Sequence, residues 1–259
     1  MKKVPVSLVI ITYNEEKNIK RCIQSVPFAS DIVVLDSGST DRTVEVARLL
    51  GARVRVEPWR GFQKQKNRAL ALALHDWVIS LDADEGLSPE AATEIEALCF
   101  ENKMERDGYQ LPRINYHLGR WIRHSGWHPD YQLRFFNRTQ CHWTGAEVHE
   151  SVAGENIGRL KGVILHWSYD SLAAQVDTIN LYSGLGATQQ EKAGKSFSAL
   201  KMASKPFVKF IEKFLYKSGW RDGMAGFIIA VISSFETFLL FAKLWEKKHI
   251  KPQNPERPE

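Results

Sequence analysis

Strand and helix patterns alternate over the first hundred residues, and this alternation constrains the fold more than any other feature of the chain. Apolar, β-branched segments predict strands at Val6–Ile11, Asp31–Leu35, Arg53–Glu57 and Trp77–Leu81. Amphipathic segments between them predict helices at Glu15–Ser25, Thr43–Leu50 and Gln63–Leu74. This βαβαβαβ order predicts an α/β fold with a parallel, doubly wound, Rossmann-like sheet, in which ligands bind beyond the carboxyl ends of the strands.

Polar side chains gather at the predicted carboxyl ends of these strands. They are Thr12, Asn14, Glu15, Asp36, Asp82 and Asp84. Asp82-Ala83-Asp84 follows a buried-strand pattern directly, and its carboxylates suit a hard divalent cation, Mg²⁺ or Mn²⁺, that in turn holds substrate phosphates. A D-x-D triplet alone also occurs in solvated turns, so it indicates a metal site only together with the residues around it.

The pattern changes after Asp84. Ser88 and Pro89 predict the N-cap and first position of a helix that runs to about Asn102. Short β-forming segments follow at Gly108–Ile114, Tyr131–Asn137, His149–Val152 and Val163–Trp167. They predict a mixed, partly antiparallel extension that covers the sheet and shapes an acceptor pocket. Residues 171–200 have a helical pattern.

The positive charge of the chain lies in its C-terminal part. The net charge is +5 overall, but residues 201–251 carry +6 and the first 200 residues are neutral. This distribution argues against a nucleic-acid-binding face across the whole protein and indicates an anionic partner for the tail.

The tail also has a membrane-binding pattern. Pro206–Lys217 has an apolar face beside lysines, and Gly226–Trp245 is apolar except for Glu236 and Lys243. A central acidic residue costs a spanning helix roughly 3 kcal/mol, so an amphipathic helix lying on anionic lipid is favoured. Packing on the catalytic domain, a homo-oligomer contact and a true span are the alternatives. Residues 251–259 contain prolines and are predicted to be disordered.

Cysteine usage and the N-terminus indicate a cytoplasmic protein on the inner face of the membrane. Cys22, Cys99 and Cys141 form no C-x-x-C pair, which favours a reducing compartment. Lys2 and Lys3 precede an apolar run too short for a signal peptide, with no cleavage site after it.

Four motifs, in order and spacing, resemble the family 2 inverting glycosyltransferases. They are Val9–Glu16, Asp36–Asp41, Asn67-Arg68-Ala69 and Asp82-Ala83-Asp84. Two later segments, Trp127–Phe136 and Val148-His149-Glu150, are similar to the branch that adds glucose to the inner core of bacterial lipopolysaccharide. The resemblance implies a nucleotide-sugar-binding fold of the glycosyltransferase A type. It implies a catalytic domain at 1–170, with donor half 1–106 and acceptor half 107–170, before a helical region at 171–250.

The resemblance also implies roles for the donor-side residues. Thr12, Tyr13, Asn14 and Glu15 would hold the nucleoside of a UDP-sugar, and Asp36 would accept a hydrogen bond from uracil N3–H. Asn67 and Arg68 would contact ribose or pyrophosphate. Asp82 and Ala83 would lie near ribose and sugar, and Asp84 would ligate the Mg²⁺ or Mn²⁺ ion. The alternatives are core packing for Tyr13, helix capping for Asp36 and a solvated surface charge for Arg68.

An inverting transfer needs one base for the acceptor hydroxyl. The position of the family's acidic motif indicates Glu150, and Asp130 is the alternative. His149 would orient Glu150 or contact phosphate. His166 is either a packed structural residue or an additional metal ligand.

We expect transfer of a single sugar, with a lipid-linked saccharide as the acceptor. The Q-x-x-R-W motif of processive synthases is absent. Aromatic and basic side chains suit sugars and anions in the acceptor region, at Trp121, Trp127, Trp143, His124, His128, Arg120, Arg123 and Arg134. A polyprenyl-phosphate acceptor and a non-catalytic nucleotide-sugar-binding subunit are the competing hypotheses.

Overall fold

The computed structural model describes residues 2–145, 150–169, 171–194 and 196–250. These form two compact units. The first combines the residues up to Asn115 with Pro129–Ser168, and the second combines Tyr116–His128 with the described residues from Tyr169 onward. The segment 116–128 thus belongs with the C-terminal helices, while the functional division at residues 106 and 170 stays a prediction.

Strands and helices of the first unit follow the predicted order. The strands are β1 (Val4–Thr12), β2 (Ala29–Asp36), β3 (Arg53–Val56), β4 (Trp77–Asp82), β5 (Glu85–Leu87), β6 (Gly108–His117), β7 (Arg120–Ile122), β8 (Asp130–Asn137), β9 (His142–Thr144), β10 (Ser151–Ala153), β11 (Ile157–Arg159) and β12 (Ile164–His166), of which β7 and the end of β6 lie in the second unit. The helices are α1 (Ile19–Gln24), α2 (Thr43–Leu49), α3 (Phe62–Ala71) and α4 (Pro89–Phe100).

The sheet has the strand order β3-β2-β1-β4-β8-β6-β12-β5. The first four strands are parallel, and β8 runs antiparallel to both β4 and β6. The predicted α/β fold with a mixed sheet extension is therefore confirmed. β1 lies at the centre of the parallel part and is buried along nearly its whole length, because helices cover both faces of such a sheet.

Helix α1 begins four residues later than its sequence pattern predicts. Asn14 has a φ of 55°, and the backbone N–H groups of Asn14, Glu15 and Glu16 donate to side chains of the loop after β2 and of Thr43, the first residue of α2. These bonds hold the chain in an extended turn, so helical hydrogen bonding starts only at Ile19. Ser88 caps α4 as predicted, with its Oγ accepting from Ala91 N at 3.2 Å.

The second unit consists mainly of helices. They are α5 (Leu172–Lys192), α6 (Ala199–Ile211), which continues as a π-helical turn through Glu212–Tyr216, a 3-10 turn at Gly219–Asp222 and α7 (Gly223–His249). Helix α6 starts before Pro206, the predicted first residue. The side chain of Ser198 caps the helix by accepting a hydrogen bond from Lys201 N. The predicted disordered tail, residues 251–259, lies outside the described residues.

One helix of the second unit is long and apolar enough to cross a membrane. It spans Gly219–His249, and about a fifth of its most apolar window is buried. Lys243, which interrupts the apolar run of α7, is paired inside the unit: its Nζ donates to Asn180 Oδ1 at 2.7 Å and to Ser183 Oγ at 2.9 Å.

Candidate active site

Strand register brings the predicted donor residues to one edge of the sheet. Thr12 of β1 lies opposite Asp36 of β2, and Ile11 lies opposite Asp82 of β4. The three predicted motifs at the ends of β1, β2 and β4 therefore converge, as expected for a parallel sheet. The Tyr13 side chain is 57% exposed at this edge, so it is not a core residue.

Asp36 uses both carboxylate oxygens within its own turn. Oδ1 accepts from the N–H groups of Gly38 at 2.9 Å and Ser39 at 2.8 Å, and Oδ2 accepts from the Ser39 hydroxyl. Asp41, in contrast, accepts from Thr43 N at the start of α2. Asp36 therefore braces the loop after β2, and only Oδ2, which accepts from one neutral hydroxyl donor, has a lone pair left for a ligand.

The Asp84 carboxylate faces His166, which ends strand β12 of the sheet extension. His166 Nε2 lies 3.2 Å from Asp84 Oδ2, and His166 Nδ1 lies 2.6 Å from Asn115 Oδ1. Antiparallel pairing of β12 with β5, which places His166 opposite Glu85, creates this approach. An Nδ1–H that donates to the Asn115 oxygen would leave the Nε2 lone pair free for a cation bound by Asp84.

This pair fits a divalent cation as a partial ligand set. A hard carboxylate oxygen and an imidazole nitrogen whose ring is fixed by a second hydrogen bond are common ligands of Mn²⁺ and related ions. Across the described ranges, no group of three His, Cys, Asp or Glu side chains is arranged to hold a metal. A metal bound to Asp84 and His166 would thus need its remaining ligands from substrate or water.

A chain of seven charged side chains with alternating sign runs through the site, and we call it the charge chain. In order, its members are Glu150, Lys66, Asp82, Arg134, Glu85, Arg113 and Asp130. Each consecutive pair lies between 2.7 and 3.2 Å apart. The two candidate bases therefore occupy opposite ends of one ion-pair network.

Cations within the charge chain keep its inner carboxylates ionised. Desolvation alone would raise the pKa of Asp82, but Lys66 and Arg134 outweigh it and hold that pKa well below its usual range. Burial likewise opposes ionisation of Glu85, yet Arg134 leads the interactions that lower its pKa. Asp82 is thus bound to two protein cations, which leaves Asp84 as the carboxylate available to a metal.

The candidate bases differ in their surroundings. Glu150 contacts the ammonium of Lys66 at 3.2 Å, and its side chain is 17% exposed. Asp130 is paired with Arg113 at 2.7 and 3.0 Å and also accepts from Gln132 Nε2. Both carboxylate oxygens of Asp130 therefore already accept hydrogen bonds from protein side chains. The motif residues Val148 and His149 lie outside the described residues, as does Glu147.

Asn67 and Arg68 have protein partners in place of the predicted ligand. Asn67 forms a two-way bond with the Trp143 backbone, donating from Nδ2 to O at 2.8 Å and accepting from N at 3.0 Å. Arg68 pairs with Glu57 through Nε and Nη2 at 2.7 to 3.1 Å. Asn67 thus fixes β9 to α3, and contacts of either residue with ribose or pyrophosphate stay a prediction.

Sequence reasoning missed Lys66, Glu85 and Arg113 as members of the site. Lys66 lies on the inner face of α3 with Gln65 and Ala69, where it is 4% exposed. A lysine on the apolar face of a helix was the available signal, because such a charge is buried only when it is paired.

Known proteins resemble the chain over most of its length. It is 31% identical over 257 residues to the lipopolysaccharide core biosynthesis glycosyltransferase LpsC of Rhizobium meliloti, covering 96% of this chain and 95% of that protein. It is 34% identical to an uncharacterized glycosyltransferase, RT0209, of Rickettsia typhi, over 95% and 88% of the two chains.

A solved structure that resembles the chain is glucosyl-3-phosphoglycerate synthase from Mycobacterium tuberculosis in complex with Mn²⁺, UDP and glucosyl-3-phosphoglycerate. It has 19% identity and a TM-score of 0.48 and covers 75% of this chain and 82% of that one. The model of glycosyl transferase family 2 matches residues 7–161. The chain therefore belongs to glycosyl transferase family 2.

Proposed function

We propose that this glycosyltransferase moves a single hexose, glucose from UDP-glucose, with inversion onto a lipid-linked saccharide such as the lipopolysaccharide inner core. One observation carries the proposal: Asp82 on the donor side and Glu150 contact the same buried ammonium, that of Lys66. The Glu150 carboxylate, which can accept a proton, is thus separated only by the Lys66 side chain from the sheet edge proposed to bind the donor. The similarity to LpsC supports the acceptor class.

Glu150 is the proposed base. Its carboxylate takes the proton from the acceptor hydroxyl while that oxygen attacks the anomeric carbon of the hexose. The bond between the anomeric carbon and the β-phosphate oxygen breaks, and UDP leaves with the electron pair. Attack from the face opposite UDP inverts the configuration.

Asp84 and His166 would hold Mg²⁺ or Mn²⁺, which offsets the negative charge on the departing UDP as a Lewis acid. Tyr13 offers an exposed ring for uracil, and the free lone pair on Asp36 Oδ2 can accept from uracil N3–H. Asp82, held by two cations, has its remaining lone pairs available to ribose or hexose hydroxyl groups.

The donor site is tested by the thermal stability of the full chain with UDP, GDP and ADP and their glucose conjugates, with and without Mn²⁺. We expect stabilisation by uridine compounds alone, with a metal-dependent part that Asp84→Ala abolishes. Asp177→Ala, an exposed acid in α5, is the matched control. A chain that no uridine compound stabilises would refute the donor assignment.

Transfer is tested with UDP-[¹⁴C]glucose and core lipopolysaccharide or polyprenyl phosphate as acceptor. Product on the saccharide that is lost in Glu150→Gln supports the proposal. Product on polyprenyl phosphate with Glu150→Gln still active would favour the competing hypothesis, because a phosphate acceptor needs no base. UDP binding without transfer to either acceptor would indicate a non-catalytic subunit.

Anionic membrane is the proposed partner of the second unit, with the protein peripheral on the cytoplasmic face of the inner membrane. Helix α7 exposes one apolar stripe, at Met224, Phe227, Val231, Phe235, Phe238 and Trp245, each at least 41% exposed. Nearby in sequence, lysines recur every four residues from Lys201 to Lys217. Interfacial helices insert apolar side chains into the membrane, while their neighbouring basic side chains contact the lipid headgroups.

Flotation of the full chain with vesicles tests this partner. We expect binding to phosphatidylglycerol vesicles above phosphatidylcholine vesicles, and loss of binding in a Phe227→Ser, Phe235→Ser, Phe238→Ser variant. Leu49→Ser with Leu74→Ser, at two exposed leucines of the first unit, is the control. Wild-type protein that ignores both vesicles but forms dimers disrupted by the triple variant would assign the stripe to an oligomer contact.

A further inference from the structure

Lys66 is a buried lysine of the site, and three groups surround its ammonium. Nζ lies 2.9 Å from Asp82 Oδ1, 3.2 Å from Glu150 Oε1 and 4.3 Å from the centroid of the Trp143 ring. Only 4% of the side chain is exposed. Removing an ammonium from water is unfavourable unless paired charges compensate, so this geometry is maintained by the two carboxylates.

The two carboxylates come from distant parts of the chain. Asp82 ends β4, next to the D-x-D turn, whereas Glu150 follows β9 and precedes β10. The aliphatic stem of Lys66 is fixed by α3, and the next residue, Asn67, ties β9 to the same helix through the Trp143 backbone. Helix α3 therefore sets the position of the ammonium relative to both acids.

We infer that Lys66 is a positioning residue for transfer: its ammonium pairs with the Glu150 carboxylate and directs it toward the donor edge marked by Asp82. The inference rests on the proposed function, in which Glu150 is the base. Among the described residues, Lys66 from α3 contacts Glu150, Arg134 from β8 interacts with Glu150 electrostatically, and Asp82 from β4 contacts the same ammonium as Glu150. Lys66 is the one in direct contact with it.

The test is the pH dependence of kcat for Lys66→Met in the full chain. Methionine keeps most of the buried stem but removes the charge, so protonation of the base becomes more favourable. We expect the acid limb of the kcat profile to move up by about one pH unit. The ratio of variant to wild-type kcat then falls by about tenfold from the alkaline plateau to the acid limb.

Two variants separate this role from a purely structural one. Lys66→Arg restores a positive charge and should return the acid limb to its wild-type pH even where kcat is reduced. Lys64→Met, at an exposed lysine two residues earlier in α3, should leave the profile unchanged. Each variant is also measured for thermal stability and UDP binding, so that a misfolded protein is recognised.

An acid limb of Lys66→Met at the wild-type pH, in folded protein that binds UDP, overturns the inference. An acid limb that shifts by the same amount in Lys66→Arg and in Lys66→Met would also overturn the inference, because the charge at position 66 would then be irrelevant. Wild-type protein without any glycosyl transfer would instead refute the proposed function.

Discussion

His166 Nε2 lies 3.2 Å from Oδ2 of Asp84, and this contact joins residues 82 positions apart in the chain. Asn115 fixes the other ring nitrogen of His166. A histidine that is oriented by one partner and faces a carboxylate with the other is suited to share a metal with that carboxylate. Titration of Mn²⁺ into His166→Ala distinguishes this role from the alternative, a packed structural histidine.

Replacing His166 by alanine should weaken Mn²⁺ binding more than replacing Asn115. For Asn115→Ala we expect a loss of 10- to 100-fold in metal affinity, because the ring loses the bond that orients it. Titration of Mn²⁺ in the presence of UDP, followed by the increase in thermal stability, measures both. His75→Ala, at a histidine bonded to Ser30, is the control. An unchanged Mn²⁺ affinity in His166→Ala would assign the ring to packing.

The two ends of the charge chain give a direct comparison of the candidate bases. Glu150→Gln should lower kcat by 10²- to 10⁴-fold, the usual contribution of a general base, with UDP binding retained. Asp130→Asn should have a far smaller effect on kcat, because its carboxylate is bound to Arg113 and Gln132. Steady-state kinetics with UDP-glucose and a saccharide acceptor measure both. A larger loss of kcat in Asp130→Asn would reverse the assignment.

Most of the sheet edge could be predicted because each element there is determined by local sequence. The strands β1, β2 and β4 are apolar runs that end in polar residues, and parallel pairing places these ends together. The Ser88 cap of α4 is also local. The resemblance to glycosyl transferase family 2, confirmed by the comparisons, rested on these same segments.

The charge chain could not be predicted, since it is made by contacts between residues far apart in sequence. Lys66 and Glu150 are 84 residues apart, and Arg134 and Glu85 are 49 apart. Nothing local distinguishes Asn67, which bonds to a backbone 76 residues away, from a residue that binds ribose. The start of α1 was also missed, because the N–H groups of residues 14–16 bond to side chains of the loop after β2 and the start of α2.

Asp36 and Ser39 provide a test of uracil recognition. Asp36→Asn keeps one oxygen for the N–H groups of Gly38 and Ser39 but replaces the other with a donor, which cannot accept from uracil N3–H. We expect UDP affinity to fall by about tenfold or more, since a hydrogen bond to a charged group contributes roughly 1.5–3 kcal/mol. Ser39→Ala removes the neutral donor on Oδ2 and also the Oγ that accepts from Asn14 N, so it should lower UDP affinity less than Asp36→Asn does. Calorimetry with UDP measures both, and equal affinities for wild type and Asp36→Asn would contradict the role.

Asp31 predicts how the stability of the first unit depends on pH. It accepts from Ser7 Oγ at 2.6 Å, Arg53 Nε at 2.9 Å and Leu74 N at 3.0 Å. Burial opposes ionisation, but these partners outweigh it and lower the pKa of Asp31 below the ordinary value of 3.8. A carboxyl with a lowered pKa in the folded state stabilises that state above pH 3.8, and this contribution is lost as the pH falls toward the folded-state pKa.

Asp31→Asn should therefore reduce the free energy of unfolding by about 2 kcal/mol at pH 7, with a smaller difference from wild type below pH 3.8. The charge on Asp31 is what the substitution removes, and protonation removes the same charge from wild type. Urea unfolding at pH 7, 5 and 3.5 measures the difference. Asp76→Asn is the control, because that carboxylate is 62% exposed in a surface pair with Arg138, and such pairs contribute at most about 1 kcal/mol. A difference between Asp31→Asn and wild type that does not depend on pH would show that Asp31 stabilises the fold by packing and neutral hydrogen bonds alone.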